Sequence, residues 1–168
     1  MAIKSIRRIL IANRGEIAVR IIRSAKELDI ETVAVYSDAD RAAPHVQLAD
    51  YAVNIGPASS SQSYLNITNI LTACHQTKAD AIHPGYGFLS ENAEFAQKVK
   101  EAGIIFIGPS PSAISTMGSK LAAKEAVSAF DVPLVPGTSE PIEDLSKAEA
   151  VAQEIGYPVL IKASAGGG

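Results

Sequence analysis

Three features of the sequence predict an α/β fold with a doubly wound parallel sheet. The chain has 168 residues, of which 47% are hydrophobic and 5% aromatic, enough to bury a core of domain size. Short apolar runs of strand length alternate with segments of helical periodicity, and glycine and proline residues separate them. The alternation indicates parallel strands, because a parallel pair needs a long crossover, usually a helix, rather than a tight turn.

The first part of the chain contains about five predicted strands, mostly with helices between them. The strands are expected in RRILIAN, ETVAVYSD, YAVNIG, DAIHPG and IIFIGPS. Helices are expected from about Gly15 to Leu28, in NITNILTACHQT and in ENAEFAQKVKEAG, the last of them capped by Ser90. The sheet layer is expected to end near residue 116.

The rest of the chain is expected to begin a second structural unit. It contains a helical SKLAAKEAVSAF, a proline- and glycine-rich VPLVPGTSEP and a helix LSKAEAVAQEIG that Gly156 closes. A short apolar strand from Val159 to Ile161 follows. We therefore expect a domain over residues 1–116, a helical linker over 117–134 and an incomplete second unit over 135–168.

The composition argues against several classes of function. Lysine and arginine number 15 and the acidic residues 18, without long charged runs, so nucleic-acid binding is not expected. The first residues contain no apolar run long enough for a secretory signal or a membrane span, which favours a cytoplasmic location. The single cysteine, Cys74, lies in an apolar helical stretch and is predicted to be a buried, inert thiol.

Two common nucleotide-binding fingerprints are missing from the sequence. The first strand-to-helix turn, IANRGEIAVR, has one glycine where a dinucleotide site needs G-x-G-x-x-G. Asp38 and Asp40 follow the second strand, but turn chemistry explains them as well as ribose binding does. MGSK is not a P-loop, because Ser119 stands between the glycine and Lys120, and Leu121 follows that lysine.

The end of the chain carries a lysine beside a run of glycines. Lys162 at a predicted strand end, followed by residues 166–168, offers a positive charge and exposed backbone N–H groups, which suit a phosphate. A solvated lysine followed by a flexible tail fits the same residues. The residues alone leave both interpretations open.

The segment AIHPGYGFLSEN contains the densest turn chemistry in the chain. Gly85 and Gly87 flank Tyr86 between a buried strand and a helix, which places this loop at the carboxyl edge of the sheet, where α/β proteins bind ligands. The alternative is a tight turn in which His83 is a packed histidine and Glu91 only favours the helix N-terminus.

Several segments occur together, in the same order and at similar spacings, in one family. They are IANRGEIAVRIIR, HPGYGFLSEN, FIGPS, MGSK and GYPVLIKASAGGG, and through them the whole chain resembles the biotin carboxylase subunit or domain of biotin-dependent carboxylases. The resemblance implies a Rossmann-like pre-ATP-grasp domain followed by the beginning of an ATP-grasp lid. Members of that family use MgATP and bicarbonate, by way of carboxyphosphate, to carboxylate N1 of carrier-bound biotin.

The resemblance also implies roles for individual residues. Those implied in nucleotide binding are Lys120, Lys162, Gly166, Gly167 and Gly168. Those implied near biotin are Gly85, Tyr86 and Gly87, and those implied at a homodimer interface are Arg20, Arg23 and Glu27. Ala165 departs from the glycine of many relatives but keeps a small side chain. No catalytic residue and no metal ligand is expected within residues 1–168, since the family carries these groups later in its chain.

The implied cofactors and substrates are ATP, Mg²⁺, bicarbonate and biotin. The implied partners are a second copy of the chain, a biotin carboxyl carrier protein or domain, and a carboxyltransferase component that selects the acyl-CoA or keto acid. Two alternatives stay open. Another ATP-grasp carboxylase or ligase would leave RGEIA and HPGYGFLSEN unexplained. The chain could also be a non-catalytic, self-associating module.

The first predicted helix has an apolar side and a charged side. At about 100° per residue, Ile17, Ile21, Ala25 and Leu28 share one side, and Glu16, Arg20, Arg23 and Glu27 share the other. The charged residues are spaced for pairing along a solvated face. The resemblance instead assigns them to an interface between two copies.

Overall fold

The computed structural model describes residues 5–118, 120–128, 130, 132–133, 137–138, 142 and 144–161. The side chains of residues 120, 121, 125 and 128 are outside this description. The chain forms two compact units, Met1–Pro111 and Ser112–Gly168. Within the described ranges, no helix is long and apolar enough to cross a bilayer.

The first unit is built on a parallel sheet of five strands in the order β3-β2-β1-β4-β5. The strands are β1 (Arg8–Ile11), β2 (Glu31–Tyr36), β3 (Tyr51–Asn54), β4 (Ala81–His83) and β5 (Ile105–Phe106). Leu10 of the central β1 is in register with Val33 of β2 and Ile82 of β4. The predicted α/β fold with a Rossmann-like parallel sheet is therefore confirmed, and each predicted strand of this unit is present.

Helices connect the strands and cover both faces of the sheet. They are α1 (Gly15–Glu27), α2 (Pro44–Leu48), α3 (Ile67–Thr77) and α4 (Ala93–Glu101), with single 3₁₀ turns at Asp38–Asp40 and Ser60–Gln62. The second unit contains α6 (Lys120–Ser128), α7 (Leu145–Ile155) and most of α5 (Pro111–Gly118). The predicted helix closed by Gly156 is α7, and Gly156 lies at its C-cap with a φ of 92°.

The core of the first unit lies on the two faces of the sheet. Successive residues of a strand point to opposite faces, so Leu10 packs into one cluster with Val33 and Ile82, while Ile11 packs into the other with Ile22. Each of these side chains is at most 1% exposed. Burying a side chain of this size contributes roughly 1.5–3 kcal/mol, and β1 is buried on both faces, as central parallel strands are.

Cys74 is buried in the first of these clusters, as predicted. The residue is 1% exposed, and its Sγ lies 3.5 Å from the carbonyl oxygen of Ala79. Burial raises the pKa of Cys74 to about 11, and the negative charge of the nearby Asp80 adds a smaller effect in the same direction. The thiol is therefore protonated at neutral pH and inert as a nucleophile.

Three local predictions are wrong. Leu28 is not on the buried side of α1: it follows the last helical residue and is 70% exposed, because its backbone has left the helical spacing. Ser90 does not cap α4; Asn92 does, accepting a hydrogen bond from the Phe95 amide at 2.8 Å. A cap must directly precede the first helical residue to reach these amides, and Ser90 lies too early.

The third wrong prediction is the strand at Val159–Ile161. These residues are not in a strand, and Leu160 and Ile161 are 79% and 89% exposed. An apolar run becomes a strand only when another strand offers its backbone groups for pairing, and the described part of the second unit contains none.

Candidate functional site

The candidate site lies where β1, β2 and β4 end. These strands are neighbours and run parallel, so their carboxyl ends lie at the same edge of the sheet. Asn13 and Arg14 follow β1, Ser37 follows β2, and the glycine loop, residues 84–90, follows β4. The polar groups after three separate strands are therefore brought together at the edge where α/β proteins bind ligands.

Asn13 fastens the glycine loop to the end of β1. Its amide nitrogen donates hydrogen bonds to the carbonyl oxygens of Pro84 and Tyr86, both at 2.8 Å. Its amide oxygen accepts one from the backbone N–H of Arg14 at 2.9 Å. Asn13 is 3% exposed, so these contacts satisfy a side chain that water hardly reaches.

Both glycines of the loop adopt left-handed backbone conformations. The φ angles are +67° at Gly85 and +66° at Gly87, which other residues adopt only with strain. A Cβ added at Gly85 would lie 2.7 Å from Nδ2 of Asn13, whereas one added at Gly87 would meet nothing within 4 Å. Gly85 is therefore required by close packing, and Gly87 faces open space.

Tyr86 projects from this loop with its ring largely accessible. Tyr86 is 59% exposed, and its hydroxyl donates a hydrogen bond to Oε2 of Glu16 at 3.1 Å. Before it, the Gly85 amide donates to Nδ1 of His83 at 3.0 Å. Burial lowers the pKa of His83, which favours the neutral ring that this acceptor role requires. The alternative of a packed strand-end histidine therefore describes His83 well.

Asp40 is the centre of a hydrogen-bond cluster beside the loop. Its Oδ2 accepts from the hydroxyls of Tyr64 at 2.7 Å and Ser37 at 2.8 Å, and Arg14 lies 3.2 Å from Oδ1. Burial alone would raise the pKa of Asp40, but these hydrogen bonds and the charge of Arg14 lower it. Burial and the hydrogen bond to Asp40 raise the pKa of Tyr64 to about 12.

Aromatic stacking connects this cluster to the glycine loop. The rings of Tyr64 and Phe88 stack with centroids 5.1 Å apart and an interplanar angle of 13°. The guanidinium of Arg14 lies over both rings, 5.6 Å from Tyr64 and 5.9 Å from Phe88. Such contacts are worth about 0.5–1.5 kcal/mol each, so they help to hold Phe88 in its left-handed conformation, with φ at 42°.

Local sequence patterns do not identify Asn13, Arg14 or Tyr64 as part of this site. For Asp40 they fit turn chemistry as well as ribose binding. Asn13 and Arg14 stand at the end of a buried strand, which was a usable signal. The contacts of Asn13 reach 71 and 73 residues along the chain, and no local pattern reports a pairing over that separation.

The charged side of α1 forms a separate surface. Arg20 pairs with Glu16, Nε to Oε1 at 3.4 Å, so the expected pairing along the helix forms there. Among the described residues, Arg23 and Glu27 do not form the corresponding ion pair. A shallow groove on this surface is lined by Glu16, Val19, Arg20, Arg23 and Ser24.

Most of the predicted nucleotide-binding residues lie outside the ranges that the structure describes. Lys162, Gly166, Gly167 and Gly168 lie outside the described residues. Lys120 begins α6, and its side chain is outside the description. Within the ranges given above, no group of three or more His, Cys, Asp or Glu side chains is placed to hold a metal ion.

Family comparisons divide the chain into two successive matches. Residues 5–114 match the biotin carboxylase N-terminal domain, and residues 119–168 match the ATP-binding domain of the carbamoyl-phosphate synthase L chain. The first match covers every residue of the candidate site described above.

Curated relatives align along nearly the whole chain. Biotin carboxylase 1 of Bacillus subtilis is 59% identical over 97% of this chain and 36% of its own length. The mitochondrial methylcrotonoyl-CoA carboxylase subunit alpha of Oryza sativa is 55% identical over 98% of this chain and 22% of its own length. The chain thus spans well under half the length of these relatives.

Solved structures agree in fold. A Campylobacter jejuni biotin carboxylase complex with β,γ-ATP has a TM-score of 0.90 at 48% identity, covering 98% of this chain and 37% of that one. The biotin carboxylase domain dimer of the Hydrogenobacter thermophilus 2-oxoglutarate carboxylase, in complex with MgADP, ADP and bicarbonate, has a TM-score of 0.88 at 47% identity, covering 98% and 36%. With the match over residues 5–114, these likenesses place the chain in the biotin carboxylase family, as an N-terminal part of it.

Proposed function

We propose that the complete protein containing this chain is an ATP-dependent biotin carboxylase, a ligase that carboxylates carrier-bound biotin with bicarbonate. The observation that carries this proposal is the order of the two family matches, an N-terminal biotin carboxylase domain followed directly by an ATP-binding domain. Another ATP-grasp ligase would account for the second match but not for the first.

The glycine loop is proposed to lie beside the biotin ring. Tyr86 is the exposed side chain of the loop, and the space beside Gly87 is open, so the ring of a ligand can approach the tyrosine ring and the loop backbone there. The hydrogen bonds of Asn13 to the loop and the stacking of Phe88 on Tyr64 support this role, because a loop held in one shape needs no ordering when ligand binds.

ATP is proposed to bind through the second unit. Lys120 and Lys162 would contact its phosphates, and Gly166, Gly167 and Gly168 would approach them with bare backbone; the resemblance and the match over residues 119–168 support this. Mg²⁺ would neutralise phosphate charge, held by residues that follow Gly168 in the complete protein. The proposed domain boundaries are residues 1–116 for the N-terminal domain, 117–134 for the helical linker and 135–168 for the beginning of the ATP-grasp lid.

A second copy of the chain is proposed to dock on the charged side of α1 through Arg20, Arg23 and Glu27. Arg23 and Glu27 make no ion pair with each other within the described residues, which leaves both available to a partner. A biotin carboxyl carrier protein or domain and a carboxyltransferase component are the further proposed partners, and the proposed location is the cytoplasm.

The decisive experiment measures ADP release by the purified complete protein with MgATP, bicarbonate and free biotin. We expect release that requires bicarbonate and rises with biotin, together with incorporation of labelled bicarbonate into an acid-labile product. ADP release that is indifferent to biotin, with no incorporation, would contradict the proposal and favour another ATP-grasp ligase.

A further inference from the structure

We infer that Asn13 is a positioning residue for the biotin-proximal loop: its amide sets where Tyr86 and Gly87 stand when biotin binds. The inference rests on the proposed function. It concerns a residue that touches the loop rather than the reacting atoms, so Asn13 is not a catalytic residue.

The hydrogen bonds of Asn13 are fully assigned to this task. The carbonyl oxygens of Pro84 and Tyr86 can only accept, so the amide nitrogen must be the group that faces them, at 2.8 Å each. The amide oxygen is then turned towards the Arg14 N–H, which donates to it at 2.9 Å. At 3% exposure, water cannot easily replace any of these partners.

The loop is shaped around the Asn13 side chain. A Cβ at Gly85 would lie 2.7 Å from Nδ2, 3.1 Å from Cγ and 3.2 Å from Cβ of Asn13. Because Gly85 has no side chain, the side-chain amide of Asn13 can occupy the space beside it. Asparagine can bridge two carbonyls two residues apart in the loop, which a shorter side chain or a carboxylate, having no N–H to donate, cannot do.

The other end of the loop is held independently. The Ser90 amide donates to the Gly87 carbonyl at 2.9 Å, and the ring of Phe88 stacks on Tyr64. Between this anchor and Asn13 lies the segment that faces outwards, with Tyr86 59% exposed and open space at Gly87. Loss of the Asn13 anchor would therefore displace the ligand-facing segment around Tyr86, while the end of the loop at Phe88 stays in place.

A matched control exists elsewhere in the same domain. The Asn69 amide nitrogen also bridges two backbone carbonyls, those of Ile55 at 2.9 Å and Gln62 at 3.2 Å. These contacts hold the loop after β3 instead of the glycine loop. Asn69→Ser therefore removes the same kind of bonds from a place that the inference does not involve.

The test compares Asn13→Ser and Asn69→Ser in the complete protein. For Asn13→Ser we expect kcat/KM for free biotin to fall by about tenfold or more, while KM for ATP changes by less than about twofold. Asn69→Ser should leave kcat/KM for biotin within about twofold of the unmodified protein, although it lowers the thermal midpoint about as much as Asn13→Ser does. Equal effects of both variants on biotin, or an unchanged biotin kcat/KM for Asn13→Ser, would overturn the inference.

A second route disturbs the same contact from the loop side. Gly85→Ala should lower kcat/KM for biotin with KM for ATP preserved, and adding Asn13→Ser should be less than additive, because the shorter side chain removes the contact at 2.7 Å. If Asn13→Ser does not fold, Gly85→Ala decides: an unchanged biotin kcat/KM overturns the inference. If the unmodified protein shows no biotin-dependent ADP release, the proposed function itself fails, which is a different result.

Discussion

The hydroxyl of Tyr86 donates a hydrogen bond to Oε2 of Glu16 at 3.1 Å, across 70 residues of sequence. The other carboxylate oxygen of Glu16 pairs with Arg20 at 3.4 Å. One exposed carboxylate on α1 thus links the glycine loop to the charged surface of that helix. The tether orients the Tyr86 ring, and its loss can be measured.

Replacing Tyr86 by phenylalanine keeps the ring and removes the tether. A hydrogen bond of this kind contributes about 0.5–1.5 kcal/mol, so we expect kcat/KM for biotin to fall by roughly twofold to tenfold in Tyr86→Phe. Glu16→Gln retains an acceptor for the hydroxyl and should stay near the unmodified value. A larger loss in Glu16→Gln than in Tyr86→Phe would show that the tether is not what matters.

The two loop glycines should differ in what alanine does to them. Both would suffer the left-handed φ, about 1 kcal/mol, but only Gly85→Ala would also collide with Asn13. We expect urea unfolding to show a loss of about 1 kcal/mol for Gly87→Ala and clearly more for Gly85→Ala. The bulkier Gly87→Val should lower carboxylation more than nucleotide binding, since it fills the open side of the loop. Equal losses in both assays would identify Gly87 as a folding element only.

Local periodicity predicted much of this fold. The apolar runs of β1 to β5 and the period of α1 are properties of neighbouring residues, and the structure has these elements where they were expected. The anchor at Asn13 could not be predicted in this way, since it depends on how β1 and β4 lie side by side. The strand predicted at Val159–Ile161 was wrong for a related reason: an apolar run does not report whether a partner strand is there.

Reversing one charge on α1 should weaken self-association. We expect Arg23→Glu to raise the dimer dissociation constant, with the difference shrinking at high salt, because a charge contact across a two-fold axis is lost twice. Arg41→Glu is a suitable control, since Arg41 is 72% exposed and lies outside α1. Sedimentation equilibrium measures both, and a monomeric unmodified protein or an unaffected Arg23→Glu dimer would rule out this surface.

Loss of Lys162 should impair nucleotide binding in the complete protein. A charge-assisted phosphate contact is worth about 1.5–3 kcal/mol, so Lys162→Ala should raise the dissociation constant for MgATP by roughly tenfold to more than a hundredfold. Lys120→Ala should act in the same direction, and Lys78→Ala, on the surface of the first unit, should not. Isothermal calorimetry provides the constants. Unchanged affinity and turnover in Lys162→Ala would leave a solvated lysine as the better interpretation.

The stability supplied by Asp40 should depend on pH in a defined direction. Because hydrogen bonds from Tyr64 and Ser37 and the charge of Arg14 outweigh burial, the pKa of Asp40 is below its ordinary value of 3.8 in the folded protein. A lowered pKa in the folded protein means that the ionised carboxylate stabilises the fold above the pKa of the unfolded chain. This stabilisation disappears as the pH falls through the pKa of the folded protein.

Asp40→Asn should therefore reduce the free energy of unfolding by about 1–3 kcal/mol near neutral pH, and its difference from the unmodified protein should narrow below pH 3.8. Asp38→Asn, which alters a more exposed neighbour paired with Arg41 at 3.9 Å, should cost less than about 1 kcal/mol throughout. Urea unfolding of the three proteins at matched pH values tests this, and a loss for Asp40→Asn that grows with acid would contradict the assigned sign.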